Sequence, residues 1–301
     1  MSWLPTSKRK LKDDPYIDAI ILPRTSDIGN FEVQRALPSK EKQMVGPFIF
    51  WDQMGPGEFL SGLGLDVRPH PHIGLSTITY LFKGSMDHKD SLDNDVRIKP
   101  GDINLMSAGH GIVHSERTGQ DIRKFPSKLF GIQSWIAQPK KYEDSAPSFQ
   151  NISSEEITNI DSRGVNGKVL FGELDGLKSS IETQWGTLYL DVIIEEKTKF
   201  NIPPTYIERA IYLISGNANI HETKLPLNTL IVLKPSVDIT IEATKCTRLL
   251  VLGGEPMDGP RYIYWNFVSS RKDKIEDAKN KWLQGSFPEI STDKEEFIPL
   301  P

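Results

Sequence analysis

The chain has 301 residues, 38% of them hydrophobic and 25% charged, with a formal net charge of -4. This length gives a prior of two domains, each long enough to bury a core, and the composition is typical of a globular protein in water. A slightly acidic chain lacks the broad basic surface that attracts phosphate backbones, so direct nucleic-acid binding is not expected.

The N-terminal segment carries positive charge without an apolar run behind it. Its basic cluster, Lys8-Arg9-Lys10, is interpreted as a solvated tail rather than part of a signal peptide. No stretch approaches the roughly 18 apolar residues that a membrane-spanning helix needs, so a cytoplasmic protein without a membrane partner is expected. The single cysteine, Cys246, cannot form an internal disulfide, and its apolar surroundings predict a buried, inert thiol.

The first half of the chain reads as short extended segments separated by Gly, Pro and Asp. We predict strands at residues 31–35, 48–51, 62–72, 75–82, 96–98, 103–106 and 130–136. The strand at 48–51 is apolar on both faces, which indicates a core position, and it should end at the Met54-Gly55-Pro56-Gly57 turn. Many short strands joined by turns favour a sandwich or barrel.

A composition shift separates the two halves. Residues 138–156 turn polar and include two prolines, so we predict a metal-binding N-terminal domain at 1–137, a linker at 138–155 and a C-terminal domain without metal at 156–301. The second half repeats the strand pattern at residues 168–172, 187–195, 209–216, 230–233, 239–241 and 249–252.

A five-residue motif also recurs. Tyr80-Leu81-Phe82-Lys83-Gly84 resembles Tyr212-Leu213-Ile214-Ser215-Gly216, which suggests two copies of one β-domain in an all-β protein. The second copy has one histidine, His221, with no partner histidine nearby, so a second metal site is not expected.

One helix is predicted late in the chain. Ser270 is placed to cap it, Asp273 stands at the capping-box position, and Gly285 should end it. Its apolar edge is expected to pack across the two domains, and residues 286–301 should be irregular.

Two short stretches carry the best candidates for binding a metal ion. Side chains alternate along a strand, so His70 and His72 share one face, as do His114 and Glu116. Neutral imidazole nitrogens and a carboxylate, with no thiolate, suit iron, copper, nickel, manganese or zinc better than calcium. Proline has no ladder donor, so Pro69-His70-Pro71 should lie at a sheet edge or bulge, which would open a barrel mouth.

Other nearby histidines have structural interpretations as well as functional ones. His110 is either a hydrogen-bond donor to the metal ligands or an ordinary loop histidine, and the second interpretation is favoured. His88 makes either a ligand cluster with Asp87 and Asp90 or part of a turn, and the turn is favoured. No hydrolase motif and no phosphate-binding glycine loop occurs, so neither kind of site is expected.

The motifs resemble those of the pirin family within the cupin superfamily. Residues 68–74, Arg-Pro-His-Pro-His-Ile-Gly, resemble the family's Arg-Pro-His-Pro-His-x-Gly signature. Further segments resemble the family in the same order, at residues 84–90, 100–102, 106–116, 131–135, 253–256 and 267–268. The similarity extends from about residue 31 to residue 285.

The resemblance implies a bicupin, in which two cupin (double-stranded β-helix) barrels stand in tandem with metal in the first only. It places the family's ligands on His70, His72, His114 and Glu116, with iron(II) as the first choice and manganese, nickel, copper, cobalt or zinc as alternatives. Some pirins are described as quercetin 2,3-dioxygenases, and an animal member as an iron-dependent nuclear co-regulator of transcription. The family commonly has Glu at the position of Ser76 and Arg at that of His110, which bears on substrate choice.

The leading hypothesis is metal-assisted dioxygenation of a flavonol-like or other enolisable aromatic compound by a monomer. Four protein ligands leave up to two octahedral positions for water, substrate or oxygen, and Glu116 is the natural catalytic proton acceptor. A second hypothesis is a non-enzymatic, iron- and redox-responsive regulator that binds a protein partner. A third is a barrel whose ion only supports folding.

Overall fold

The computed structural model describes residues 14–28 and 31–301, so the basic cluster at residues 8–10 lies outside the described part. Strands dominate, and they form two cupin-type barrels followed by a helix, as predicted. Among the described residues, no helix has the length and apolarity to span a bilayer.

Apart from β4 and β11, which have 12 and 11 residues, the strands of the first half are short, because turn residues interrupt the apolar or alternating runs. They are β1 Ile17–Ile21, β2 Arg24–Asp27, β3 Glu32–Leu37, β4 Phe48–Phe59, β5 Asp66–His72, β6 Leu75–Lys83, β7 Met86–Asp90, β8 Asp95–Ile98, β9 Ile103–Ser107, β10 Ile112–Arg117, β11 Ser127–Ala137 and β12 Ser148–Ile152. Single-turn 3-10 helices lie at Ile122–Lys124 and Lys140–Tyr142.

The N-terminal barrel is made of two antiparallel sheets. The larger has the strand order β12-β9-β6-β11-β4-β3-β2, and the smaller has the order β5-β10-β7-β8. The smaller sheet contains both predicted ligand strands.

The second half forms one large sheet that curls into the other barrel, together with two small two-stranded sheets, β15-β16 and β23-β24. The strands of this half are β13 Thr158–Ser162, β14 Val165–Phe171, β15 Glu173–Leu174, β16 Leu177–Lys178, β17 Thr187–Ile194, β18 Lys199–Ile202, β19 Glu208–Ile220, β20 Thr223–Lys224, β21 Leu230–Leu233, β22 Ile239–Gly254, β23 Tyr262–Tyr264 and β24 Phe267–Ser269. The order of the large sheet is β1-β21-β19-β22-β17-β14-β13, with β18 also on β22 and β20 also on β19. Aliphatic side chains fill this barrel, including those of Leu190, Leu213 and Leu249.

Strand pairing crosses both predicted domain limits. Strand β1, near the N-terminus, pairs with β21 of the C-terminal sheet. Strand β12, within the predicted linker, pairs with β9 and extends the N-terminal sheet. The limits at 137/138 and 155/156 stay a prediction about where the two units divide. The sheet of each unit, however, includes a strand that lies outside the limits predicted for that unit.

The two barrels share one aromatic core. Trp51 of the first barrel lies 5.6 Å from Tyr189 and 5.5 Å from Tyr212 of the second, measured between ring centroids. The two tyrosines of the recurring motif, Tyr80 and Tyr212, are both buried in this core. Each motif ends in a glycine with positive φ, 84° at Gly84 and 87° at Gly216, where a neighbouring backbone carbonyl leaves no room for a Cβ.

The C-terminal helix begins one residue later than predicted. Helix α1 spans Lys272–Leu283, and its N-cap is Arg271, without a side-chain cap. The proposed cap at Ser270 is wrong, because its hydroxyl donates to Glu143 instead. Gly285, with φ of 64°, follows the helix end as expected. The buried face of α1 packs with Ile73 and Val113 of the N-terminal barrel.

Three local expectations were also wrong. Strand β4 continues through the Gly55-Pro56 turn signal, because a bulge opposite residues 129–131 takes up the irregular backbone. The separate strands predicted at 239–241 and 249–252 are one strand, β22. Cys246 is exposed rather than buried, because the register between β19 and β22 shifts at this point and turns it outward.

Candidate metal centre

Strands β5 and β10 position the predicted ligands. They run antiparallel with His114 opposite His70, and the alternation of side chains points His70, His72 and His114 into the N-terminal barrel. As the two prolines predicted, β5 is the edge strand of its sheet, and the β5–β10 register shifts between His114 and Glu116.

The three histidines form a tight cluster. Their ring centroids are 4.4 Å apart for His70 and His114, 5.0 Å for His70 and His72, and 4.9 Å for His72 and His114. The Nε2 atoms of His72 and His114 are 3.1 Å apart. The mouth expected beside His70 and His72 does not expose these residues to solvent, because they are only 6% and 1% exposed.

Burial keeps these imidazoles neutral. It lowers the pKa of His70 to about 4, against a weaker opposing effect of the Arg68 carbonyl. Burial, followed by the charge of neighbouring histidines, lowers the pKa of His72 and of His114 well below the ordinary value. A neutral imidazole carries the ring-nitrogen lone pair that metal coordination requires.

The fourth predicted ligand, Glu116, lies beside His114 but is held away from the other two histidines. Gln133 Nε2 donates to both of its carboxylate oxygens, at 2.8 and 2.7 Å, and Thr79 donates at 3.2 Å. Burial raises the pKa of Glu116, while the Gln133 hydrogen bond opposes that rise. The carboxylate is therefore oriented by neutral donors and leaves its own charge uncompensated by any cationic side chain in these contacts.

His88 lies next to the site, in a segment that was interpreted from the sequence as a turn. It lies in strand β7, is 1% exposed, and its Nδ1 is 3.4 Å from His114 Nδ1. Two donor groups with ligand atoms within 4.8 Å of one another therefore share His114: one with His70 and His72, the other with His88 and Glu116. The alternation of buried Met86, His88 and Asp90 along β7 was the signal that could have identified the strand.

Neither departure from the family pattern lies among these donors. The hydroxyl of Ser76 is 2.8 Å from that of Ser107, on the face of β6 that turns toward the second barrel. His110 is exposed, and its backbone N–H donates to the Ser145 carbonyl. His110 is thus the ordinary loop histidine that was favoured.

Aromatic side chains wall one side of the cluster. The Trp135 ring is 5.1 Å from that of His72 and stacks on Phe50 at 3.9 Å. The guanidinium of Arg35 covers the far face of this stack, 4.4 Å from the Phe50 ring, and pairs with Asp52 at 2.7 Å. These rings exclude water from the histidines on that side.

The donor set fits a divalent transition metal. The His70 Nδ1 is 2.8 Å from the Arg68 carbonyl, which can only accept, so Nδ1 carries the proton and the Nε2 lone pair is free. The Nε2 atoms of His72 and His114 face each other at 3.1 Å. If one of them carries a proton, it donates to the other; if neither does, the two lone pairs repel each other unless a cation lies between them. Three neutral nitrogens and a carboxylate are ligands that iron, nickel, copper or zinc accept.

Two family models match the chain: one described as Pirin at residues 30–136, and one described as the Pirin C-terminal cupin domain at residues 189–288. A pirin-like protein of Caulobacter vibrioides is 41% identical over 288 residues, which cover 95% of this chain and 99% of that protein. A Pseudomonas aeruginosa protein provisionally named quercetin 2,3-dioxygenase is 32% identical over 88% of this chain and 83% of its own length.

A solved structure gives the same result. The crystal structure of quercetin 2,3-dioxygenase from Acinetobacter baumannii matches with a TM-score of 0.88 and 33% identity, covering 96% of each chain. The similarity therefore includes both barrels.

Proposed function

This chain belongs to the pirin family, and from that premise we propose that it is a metal-dependent oxygenase of the quercetin 2,3-dioxygenase type. The observation that carries the proposal is the cluster of three buried, neutral imidazoles inside the N-terminal barrel. Its substrate class would be a flavonol-like or other enolisable aromatic compound. The names of the Pseudomonas and Acinetobacter relatives support this choice of chemistry.

The residues that would hold the metal are His70, His72, His114 and Glu116. Iron(II) is the first choice, and manganese, nickel, copper, cobalt and zinc are accepted by the same donors. A divalent ion held there would act as a Lewis acid that lowers the pKa of a substrate hydroxyl.

The chain's own residues would bind the substrate and accept its proton. Glu116 is the proposed catalytic base, and burial has already raised its pKa toward that of a useful proton acceptor. Gln133 and Thr79 hold its carboxylate in place before the substrate arrives. The Trp135 ring, held in place by stacking on Phe50, would offer an apolar wall beside His72 for a flat aromatic substrate.

Oxygen uptake tests the proposal. Iron(II)-loaded protein should consume oxygen when flavonols such as quercetin are added, whereas the metal-free protein and the His72→Ala variant should not. Metal-loaded protein that consumes no oxygen with any member of a flavonol panel would contradict the proposed activity.

One observation favours a second candidate, a non-enzymatic regulator that binds a protein partner according to the metal's oxidation state. His72, His114 and Glu116 are each at most 3% exposed, which suits an ion that is sensed rather than reached by substrate. Capture of the same partner by iron(II)- and iron(III)-loaded protein with unequal affinity, together with no oxygen uptake, would favour this role. Both candidates keep the sequence-based expectation of a cytoplasmic monomer.

A further inference from the structure

His88 and Asp90 form a buried pair that the proposed ligand set does not use. Both are at most 1% exposed on strand β7, and His88 Nε2 is 3.1 Å from Asp90 Oδ2. Phe149 of strand β12 stacks on the other side of the His88 ring, at 4.6 Å and an interplanar angle of 17°. The ring is thus fixed between a carboxylate, an aromatic face and His114.

The hydrogen-bond chemistry of Asp90 determines which His88 nitrogen carries the proton. The Asp90 carboxylate accepts from the backbone N–H groups of Leu92 and Asn94 and from the Asn94 side-chain amide. A carboxylate with three such donors acts as an acceptor, so His88 Nε2 must donate to it. The Nδ1 atom of His88 then carries the lone pair.

The tautomer of His88 in turn determines that of His114. The only other ring nitrogen close to His88 Nδ1 among the described residues is His114 Nδ1, at 3.4 Å. Because His88 Nδ1 is the acceptor, His114 Nδ1 must hold its proton and donate it. The lone pair of His114 is then on Nε2, the atom that faces His72.

On the premise of the proposed metal function, we propose that His88 is a positioning residue that fixes the tautomer and ring orientation of His114 through the sequence Asp90–His88–His114. Metal-ligating histidines commonly donate their second ring N–H to such a partner, and loss of the partner typically weakens metal affinity 10- to 100-fold. Here the partner is a second imidazole, itself oriented by a buried carboxylate.

Two amide substitutions separate this role from simple packing. In His88→Asn, the side-chain oxygen can occupy the place of Nδ1 and still accept from His114. In His88→Gln, the amide lies at the ε position, so no acceptor faces His114 although size and polarity are kept. Asn94→Ala is the matched control, because it removes the side-chain donors to Asp90 but keeps the two backbone donors, so that Asp90 still accepts from His88.

The experiment is a titration of the full-length, metal-free protein with cobalt(II), followed by its visible spectrum and affinity. We expect His88→Gln to bind cobalt(II) about 10- to 100-fold more weakly than wild type. His88→Asn should restore binding to within a few-fold, and Asn94→Ala should bind like wild type. Thermal melting of each metal-free variant shows whether it is folded, and His88→Leu replaces His88→Gln if the latter is not.

Three results would overturn the assignment. One is wild-type affinity and an unchanged spectrum in His88→Gln. Another is equal loss in His88→Asn and His88→Gln with a change in cobalt coordination, which would make His88 itself a ligand. The third is a loss in Asn94→Ala as large as that in His88→Gln. Failure of the metal proposal itself is distinguishable, since wild-type protein would then not bind cobalt(II) at all.

Discussion

Ser76 faces away from the histidine cluster, although it follows His72 by only four positions. Its side chain is 3% exposed, and its hydroxyl contacts that of Ser107 on β9. Thr79 is three positions further along the same strand, so its side chain lies on the opposite face, where it donates to Glu116. The Ser76 side chain therefore faces the space between the barrels and does not contact the metal donors.

The Ser76→Glu variant tests that separation. Its cobalt(II) affinity should match wild type, whereas its free energy of unfolding should fall by about 1–3 kcal/mol, because a carboxylate is buried without a cationic partner. Ser76→Ala is the control for loss of the hydroxyl alone. Weaker cobalt(II) binding in Ser76→Glu than in Ser76→Ala would show that this position does reach the metal.

Residue patterns revealed the candidate ligands but not the side chains that orient them. His70 and His72, or His114 and Glu116, are two positions apart on one strand, so alternation alone places each pair on one face. Gln133 reaches Glu116 from 17 positions away, and His88 reaches His114 from 26. Such contacts depend on the register between strands, which a single sequence does not specify.

At the scale of elements, the C-terminal segment, residues 286–301, fastens both ligand-bearing strands from outside the barrel. Asp293 accepts from Ser115 Oγ at 2.7 Å and from Arg117 at 2.8 and 3.0 Å, and both donors lie on β10. The backbone N–H of Ile298 donates to the Pro69 carbonyl on edge strand β5. The segment is irregular, as expected, yet it protects an edge that would otherwise be free to pair.

The Asp293→Asn variant should lower the free energy of unfolding by about 1.5–3 kcal/mol at pH 7, since a charge-assisted pair is lost. Burial would raise the pKa of Asp293, but hydrogen bonds from Arg117 and Ser115 outweigh it and hold the pKa below its ordinary value. A depressed folded-state pKa contributes stability above the unfolded value of about 3.9 that is lost as the pH falls through the folded value.

Denaturant unfolding from pH 7 to pH 2 measures this effect. The difference between wild type and Asp293→Asn should be constant at neutral pH and shrink below about pH 4. Glu296→Gln is the control, because this more exposed partner of Arg117 should contribute less than about 1 kcal/mol. A difference that persists undiminished at the lowest pH would show that the Asp293 charge is not responsible.

Regular elements were predictable where one periodicity dominated the sequence. Strand β6 is a β-branched and aromatic run, and its predicted and observed limits differ by one residue. Strand β7 was missed because its buried positions include His88 and Asp90, polar residues that usually indicate a turn. The start of α1 was misplaced because the Ser270 hydroxyl donates to Glu143, more than a hundred residues earlier in the chain, and so does not cap the helix.

For the whole molecule, one hydrogen bond crosses the aromatic core between the barrels. Tyr80 of the first barrel donates to Asp191 of the second at 2.7 Å, and Arg248 holds that carboxylate from the other side. Tyr212 occupies the corresponding place in the second motif, but its hydroxyl is buried without a hydrogen-bond partner among the described residues. The hydroxyls of the two equivalent tyrosines thus differ in whether they have a hydrogen-bond partner.

A pair of phenylalanine substitutions measures what that contact contributes. Tyr80→Phe should lower the free energy of unfolding by about 0.5–1.5 kcal/mol, because one buried hydrogen bond is lost. Tyr212→Phe should be neutral or slightly stabilising, because it removes an unpaired buried hydroxyl. Equal destabilisation by the two substitutions would contradict this account of the interface.

The tandem arrangement was visible in the recurring motif, whereas the strand pairing across the predicted domain limits was not. Strand β1 is a short apolar run that could pair with many others, and its partner β21 begins at residue 230. Strand β12 lies in a segment whose polar composition indicated a linker. Long-range pairing of this kind depends on which sheet edges remain open once each barrel has formed.

We assign one metal ion to His70, His72, His114 and Glu116. Anomalous diffraction collected across the absorption edges of iron and the other candidate metals, from crystals of the purified protein, tests this assignment. We predict one anomalous peak inside the N-terminal barrel, about 2.0–2.2 Å from three imidazole nitrogens and the Glu116 carboxylate. The absence of a peak there, or a peak ligated by His88 and Glu116 without His70 and His72, would show that these four residues do not hold the ion.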